Sequence, residues 1–202
     1  MANNRNNSGC SLIILILLGI YIAYEYYVVT PKQDAKELQE QIEFWGKSSV
    51  EYFNSFECDN LDQTDLKTDI DYFFVLFSDR GEKCKINSYI IQNFEKNTLI
   101  NNYYTRDIDK ANVIVWLEII PGIMEGEYTN GASAIRNQVE LKLIDKESKA
   151  IYWTEKFNAL GDAREEIKRK GGDKRPEYFG RVPYDDIIHF LISEIKSSAG
   201  TL

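Results

Sequence analysis

The segment IDYFFVLF, residues 70–77, is almost entirely apolar. A strand has this composition when both of its faces are covered by other elements. The segment NVIVWLEII, residues 112–120, has the same character, and we predict a second buried strand there. Between these two strands, SDRGEK at residues 78–83 predicts a turn. We predict a helix after this turn, because the apolar side chains there recur at a spacing that places them on one side of a helix. These side chains are Ile86, Ile90, Ile91 and Phe94.

Three antiparallel strands are predicted from residue 112 onward. Pro121-Gly122 is expected to bend or end the first, and Asn130-Gly131 is a strong hairpin signal because both residues tolerate a positive φ. Residues 139–143 and 151–157 alternate between apolar and polar side chains, as half-buried strands do. A short strand is also predicted at residues 98–104.

The predicted fold class is therefore α/β (α+β), with one domain over residues 70–197. We expect a mixed, largely antiparallel sheet of about five strands, packed by two or three helices. The last helix opens at Pro183, where proline suits a first helical position. Its apolar face consists of Ile187, Ile188, Leu191, Ile192 and Ile195.

An apolar stretch precedes this domain. Residues 12–29 read LIILILLGIYIAYEYYVV, and as a helix they would span about 27 Å, close to the hydrocarbon thickness of a bilayer. A cleaved signal peptide needs small residues before the cut, and Glu25 falls where one is required. We expect an uncleaved single-pass anchor, with a buried helix of the soluble fold as the alternative. Aromatic rings that suit the membrane interface are Tyr21, Tyr24, Tyr26 and Tyr27.

Residues 1–11 form a short polar tail, which we place in the cytoplasm, so that the domain is extracytoplasmic. Residues 32–57 show helical spacing of apolar side chains, interrupted at Gly46. Two interpretations stay open: a coiled-coil stalk that joins two copies into a homodimer, or an amphipathic helix that packs on its own domain.

Composition narrows the classes of partner and chemistry. The net charge of −8 argues against nucleic-acid binding. The three cysteines and the single histidine lack metal-ligand spacing, so we predict no metal site and no cofactor. Cys58 and Cys84 are either a disulfide in an oxidising compartment or two separate thiols.

Catalytic signatures are not found in the sequence, which contains no GxxxxGK[ST], GxGxxG, GxSxG or HExxH motif. His189, on the predicted last helix, is more typical of a packed or surface residue than of a general base. We predict a protein that is not an enzyme. The alternative is a membrane-bound enzyme with Cys58 or Cys84 as its nucleophile.

One segment concentrates positive charge in this acidic chain. REEIKRKGGDKRPEYFGR, residues 164–181, lies in a predicted long mobile loop, residues 161–182. It could bind anionic headgroups, a polyanionic glycan or the acidic face of a protein; the alternative is a solvated loop. The candidate partner-binding residues are Lys168, Arg169, Lys170, Lys174, Arg175, Tyr178 and Phe179.

The order of elements resembles a known family. The phrases KANVIV at residues 110–115 and VELKLIDKESKAIYW at residues 139–153 are similar to those of the small α/β domain of bacterial envelope lipoproteins, of the curli-secretion and penicillin-binding-protein-activator type. The resemblance covers roughly residues 70–197. It implies a non-catalytic adaptor or assembly role with a protein partner. This chain departs from the family in carrying a membrane segment in place of a lipidated cysteine.

Overall fold

The structure, a computed structural model, describes residue 21 and residues 30–58, 61–81, 83–85, 87–163 and 174–199. The chain divides into two compact units, Met1–Val50 and Glu51–Leu202. Apart from Tyr21, the predicted membrane segment 12–29 lies outside the described residues, and so do the interface candidates Tyr24, Tyr26 and Tyr27.

The region predicted as one helix over residues 32–57 is two helices. Helix α1 spans Thr30–Trp45 and helix α2 spans Lys47–Ser55. Gly46 separates them with a φ of +83°, a left-handed conformation that glycine adopts at little cost and that ends a helix. Its N–H still donates to the carbonyl of Ile42 at 2.9 Å. A continuous helix through this region is therefore not what the chain forms.

Five strands form one mixed sheet in the unit Glu51–Leu202. The order is β1-β2-β3-β4, with β5 pairing on β3; β1 runs parallel to β2, the pairs β2–β3 and β3–β4 are antiparallel, and β5 runs parallel to β3. This confirms the predicted mixed α/β class. The bounds are β1 Phe73–Asp79, α3 Ser88–Lys96, β2 Val113–Glu127, β3 Ser133–Asp145, β4 Ile151–Asn158, β5 Glu177–Phe179 and α4 Tyr184–Ala199.

Helices α3 and α4 cover one face of the sheet. Phe94 of α3 packs edge-to-face on Phe73 of β1, with ring centres 6.0 Å apart. Phe190 of α4 contacts Trp153 and Phe157 of β4. Because directly paired residues share a face, these contacts place both helices on the same side.

The opposite face is apolar at one end and charged at the other. At the apolar end Phe56, which follows α2, packs in a cluster with alternate side chains of the strands. The cluster also contains Phe74, Leu76, Cys84, Ile108, Ala111, Ile114, Trp116 and Ile144. The two buried strands predicted at residues 70–77 and 112–120 thus have both faces covered at this end, as their composition indicates.

The predicted strand at residues 98–104 is wrong. This segment forms consecutive turns, in which the N–H groups of Ile100 and Asn101 donate to the carbonyl of Asn97. Only a short bridge reaches β1, where Phe73 donates to Tyr103 and Thr105 donates back to Phe73. The backbone N–H and C=O groups of this segment therefore form their hydrogen bonds mainly within the turns. Its β-branched and aromatic residues favour a strand, so composition alone does not predict these turns.

Pro121-Gly122 does not end its strand. Strand β2 continues to Glu127 through two register shifts, one between Pro121 and Ile123, because a bulge accommodates the extra residue. A Cβ atom on Gly122 would lie 2.4 Å from the carbonyl oxygen of Arg136. Only glycine therefore allows β3 to approach at this point.

The predicted mobile loop over residues 161–182 contains ordered backbone. Strand β5 pairs with residues Ala134, Ile135 and Arg136 of β3, and Leu160 and Arg181 exchange two backbone hydrogen bonds of 2.8 Å each. The expectation of a single irregular loop is wrong here, because β3 extends far enough beyond β4 to leave backbone groups that a later segment can pair with.

Charged side chains form rows across the second face, on β2, β3 and β4. Lys142 pairs with Glu118 at 2.8 Å and Glu140 at 3.1 Å, and Lys156 pairs with Glu140 at 3.2 Å. The Lys142 Nζ also lies 3.8 Å from the centre of the Trp116 ring. We call Glu118, Glu140, Lys142 and Lys156 the charge ladder.

The ion pairs of the charge ladder predict that the free energy of unfolding depends on pH in the acidic range. Burial raises the pKa of Glu140, but the hydrogen bonds and charges of Lys142 and Lys156 outweigh it, so the pKa lies below its ordinary value of 4.5. The unfolded chain therefore takes up this proton first as the pH falls. We expect the free energy of unfolding to decline below about pH 4.5. Urea unfolding at a series of pH values measures it. Glu140→Gln should flatten this decline, and an unchanged slope would contradict the assignment.

Candidate functional site

The predicted partner-binding residues are only partly described. Lys168, Arg169 and Lys170 lie outside the described residues, whereas Lys174 and Arg175 are exposed. Tyr178 and Phe179 are half-buried on β5, not in an irregular loop.

Two arginines from outside β5 contact its aromatic side chains. The guanidinium of Arg80, just after β1, lies 4.9 Å from the centre of the Tyr178 ring, and that of Arg136 lies 5.4 Å from the centre of the Phe179 ring. Such contacts add electrostatic attraction to the pairing of a very short strand. Arg80 and Arg136 were not among the predicted site residues, because neither is near β5 in sequence.

Arg136 of β3 contacts β2, the segment after β4 and strand β5. It makes a two-pronged ion pair with Glu125 of β2, and it donates to the carbonyl oxygens of Ala159 at 3.0 Å and Gly161 at 2.7 Å. The planar guanidinium suits this arrangement because its donors form a rigid fork. Arg136 therefore positions the segment after β4 beside β5.

A groove of about 520 Å³ lies at the N-terminal ends of α3 and α4. This volume falls within the usual range for small-molecule or side-chain pockets. Large parts of Tyr89 and Leu160 are exposed, 72% and 49% respectively. The lining residues are Tyr89, Asn93, Leu160, Gly180, Arg181, Val182, Tyr184 and Asp185.

The groove combines apolar walls with one cation and one anion. Arg181 and Asp185 are exposed, and backbone bonds to Leu160 hold Arg181 in place. Burial raises the pKa of Tyr184 to about 12, with a smaller contribution from Tyr89. One signal for this site can be found in the sequence, because Tyr89 lies off the apolar face of its helix.

Cys58 and Cys84 are joined as a disulfide, with Cα atoms 6.2 Å apart and a sequence separation of 26. This Cα separation is ordinary for a disulfide. Cys84 is 7% exposed in the core cluster, and Cys58 packs against that cluster. The bond therefore fastens the segment after α2 to the loop after β1. A cysteine nucleophile would need one of these sulfurs as a free thiolate.

Within the described ranges, no three His, Cys, Asp or Glu side chains gather closely enough to hold a metal ion. His189 is exposed on α4. None of the helices in the described part of the chain combines the length and hydropathy of a membrane span.

Comparison with known proteins adds no relative from which a role could be transferred. No protein-family model matches the chain, and no curated protein or solved structure matches it either.

Proposed function

We propose that this chain is a single-pass membrane-anchored, non-enzymatic protein that acts as an interaction or assembly module of the cell envelope. The apolar segment at residues 12–29 supports the anchor, because its length suits a bilayer and its flanks do not suit cleavage. The domain binds a protein partner and is extracytoplasmic. The disulfide between Cys58 and Cys84 is in keeping with an oxidising compartment.

One observation carries the choice of binding surface. Tyr178 and Phe179 are held on β5 by Arg80 and Arg136, so the exposed Lys174, four residues before Tyr178, is presented beside a fixed scaffold. Aromatic and arginine side chains are enriched at protein interfaces, and Arg175 follows Lys174 directly. In a chain of net charge −8, this local positive charge favours an acidic protein surface as partner.

Charge reversal tests the binding surface. We expect Lys174→Glu with Arg175→Glu to lose the proteins that wild type captures from membranes, because repulsion replaces attraction. The matched control is Lys83→Glu with Lys110→Glu, which changes the net charge equally at exposed lysines elsewhere. Quantitative mass spectrometry of the captured proteins measures the loss. If both double variants capture the same proteins as wild type, this surface is not the binding site.

The anchor and its orientation have a separate test. The full chain should stay with membranes in alkaline carbonate. After reduction, a membrane-impermeant thiol reagent applied to intact cells should label Cys58, which is half-buried, and should leave Cys10 of the polar tail unlabelled; Cys84 is too deeply buried to serve as a reporter. Release by carbonate would remove the anchor from the proposal, and labelling of Cys10 without Cys58 would reverse the orientation.

A further inference from the structure

Two surface features take no part in the binding surface proposed above. One is Leu66, which is 80% exposed in an acidic loop between α2 and β1. The other is the groove between Tyr89 and Leu160. Covering a leucine side chain this exposed would lower the free energy, because the transfer of apolar surface out of water is favourable.

The loop that carries Leu66 is held firmly. The N–H of Thr64 donates to the carbonyl of Ile151 at 2.9 Å, and the N–H of Leu66 donates to the Thr64 hydroxyl at 3.1 Å. On the other side, Lys67 pairs with Glu194 of α4 at 2.8 Å. Leu66 is therefore presented by a fixed backbone, which lowers the entropy that binding would cost.

The loop and the groove are complementary in charge as well as in hydropathy. Leu66 lies between Asp65 and Lys67, and all three residues are exposed. The groove carries the cation Arg181 and the anion Asp185 beside its apolar walls. The apolar walls suit a leucine side chain, and the Arg181 guanidinium suits an acidic side chain next to that leucine.

The two features lie at opposite ends of the same elements. The loop contacts the beginning of β4 through Ile151 and the late part of α4 through Glu194. The groove lies just after the end of β4 at Leu160 and at the beginning of α4. The loop and the groove of one molecule cannot meet, because β4 alone spans about 26 Å. Contact requires a second copy.

We propose that the groove of one copy receives Asp65 and Leu66 of a second copy, so that copies associate head to tail. Leu66 packs against Tyr89 and Leu160, and the Asp65 carboxylate accepts hydrogen bonds from the Arg181 guanidinium. Such a contact joins different surfaces of the two molecules, so it continues into chains or rings. The contact is small and therefore weak. It does not depend on the proposed acidic partner or on the membrane anchor.

Sedimentation of the full chain in detergent solution tests this association. The average mass of wild type should rise with concentration beyond that of a dimer. Leu66→Asp removes the loop contact and Leu160→Asp removes the groove contact, and each should lower the association constant by about tenfold or more. Leu99→Asp, at a leucine that is 58% exposed elsewhere, is the matched control and should associate as wild type does.

A mixture separates head-to-tail contact from any symmetric dimer. The Leu66→Asp chain keeps an intact groove and the Leu160→Asp chain keeps an intact loop, so an equal mixture should form one-to-one dimers and nothing larger. Circular dichroism of each variant confirms that it is folded. Wild type that stays monomeric at all concentrations, variants that associate as wild type does, or a mixture that stays monomeric would overturn the proposal.

Exchange of charges provides a second, independent readout. Asp65→Arg and Arg181→Asp should each weaken association, and both changes in one chain should restore it, since the ion pair is rebuilt with its polarity reversed. A double variant as weak as the single variants would contradict the contact between Asp65 and Arg181.

Discussion

We expect Lys142→Ala to lower the free energy of unfolding by about 3 kcal/mol. Lys142 has only 15% of its side chain exposed, and it neutralises Glu118 and Glu140, whose side chains are 17% and 16% exposed. Without the ammonium group, the largely buried carboxylates of Glu118 and Glu140 repel each other with little solvent to screen them, and only the exposed Lys156 still pairs with Glu140. Urea unfolding at neutral pH, followed by tryptophan fluorescence, measures the loss.

Two further variants isolate the charge. Lys156→Ala also removes an ion pair with Glu140, but Lys156 is 55% exposed, so it should cost at most about 1 kcal/mol. Lys142→Met keeps the aliphatic stem against Trp116. It should still show most of the loss expected for Lys142→Ala, because the repulsion between the carboxylates of Glu118 and Glu140 contributes more than the packing of the stem. Equal effects of Lys142→Ala and Lys156→Ala would show that burial of the charge ladder is unimportant.

We expect the second large effect from Cys58→Ala with Cys84→Ala, which should lower the free energy of unfolding by about 3 kcal/mol. The disulfide closes a loop with a sequence separation of 26, and it restricts the unfolded chain more than the folded one. Wild type in a reducing agent should match the double variant. The measurement is urea unfolding with and without the reductant.

Cys10→Ser is the matched control for cysteine chemistry, because Cys10 lies outside the described domain. It should unfold as wild type does in both conditions. If the reductant leaves the unfolding of wild type unchanged, the two sulfurs do not form a stabilising bond in the folded protein.

The class of the fold could be predicted because its signals are local. Residues 70–77 and 112–120 are apolar throughout, and Asn130-Gly131 marks a tight turn. Each of these patterns predicts its strand or turn from a few neighbouring residues alone. The turns at residues 98–104 were missed because hydrogen bonds to Asn97 outweigh strand propensity there.

The candidate site could be predicted only in part. Tyr178 and Phe179 could be chosen from the sequence because of the charge around them, but Arg80 and Arg136 contact them from segments far away in the chain. The groove wall formed by Tyr89 and Leu160 joins a helix to a segment seventy-one residues later. No local pattern encodes such a pairing, because it follows from where the sheet places its ends.

The sequence by itself determined the alternation of strands and helices, the hairpin and the acidic balance of the chain, since periodicity, turn chemistry and composition act without long-range contacts. Tertiary structure alone decided that β5 joins the sheet, that Cys58 meets Cys84, and that Leu66 and the groove lie at opposite ends of β4. These outcomes depend on strand register and on the length of β3 beyond β4. Both arise when distant segments pair and satisfy their backbone hydrogen bonds together.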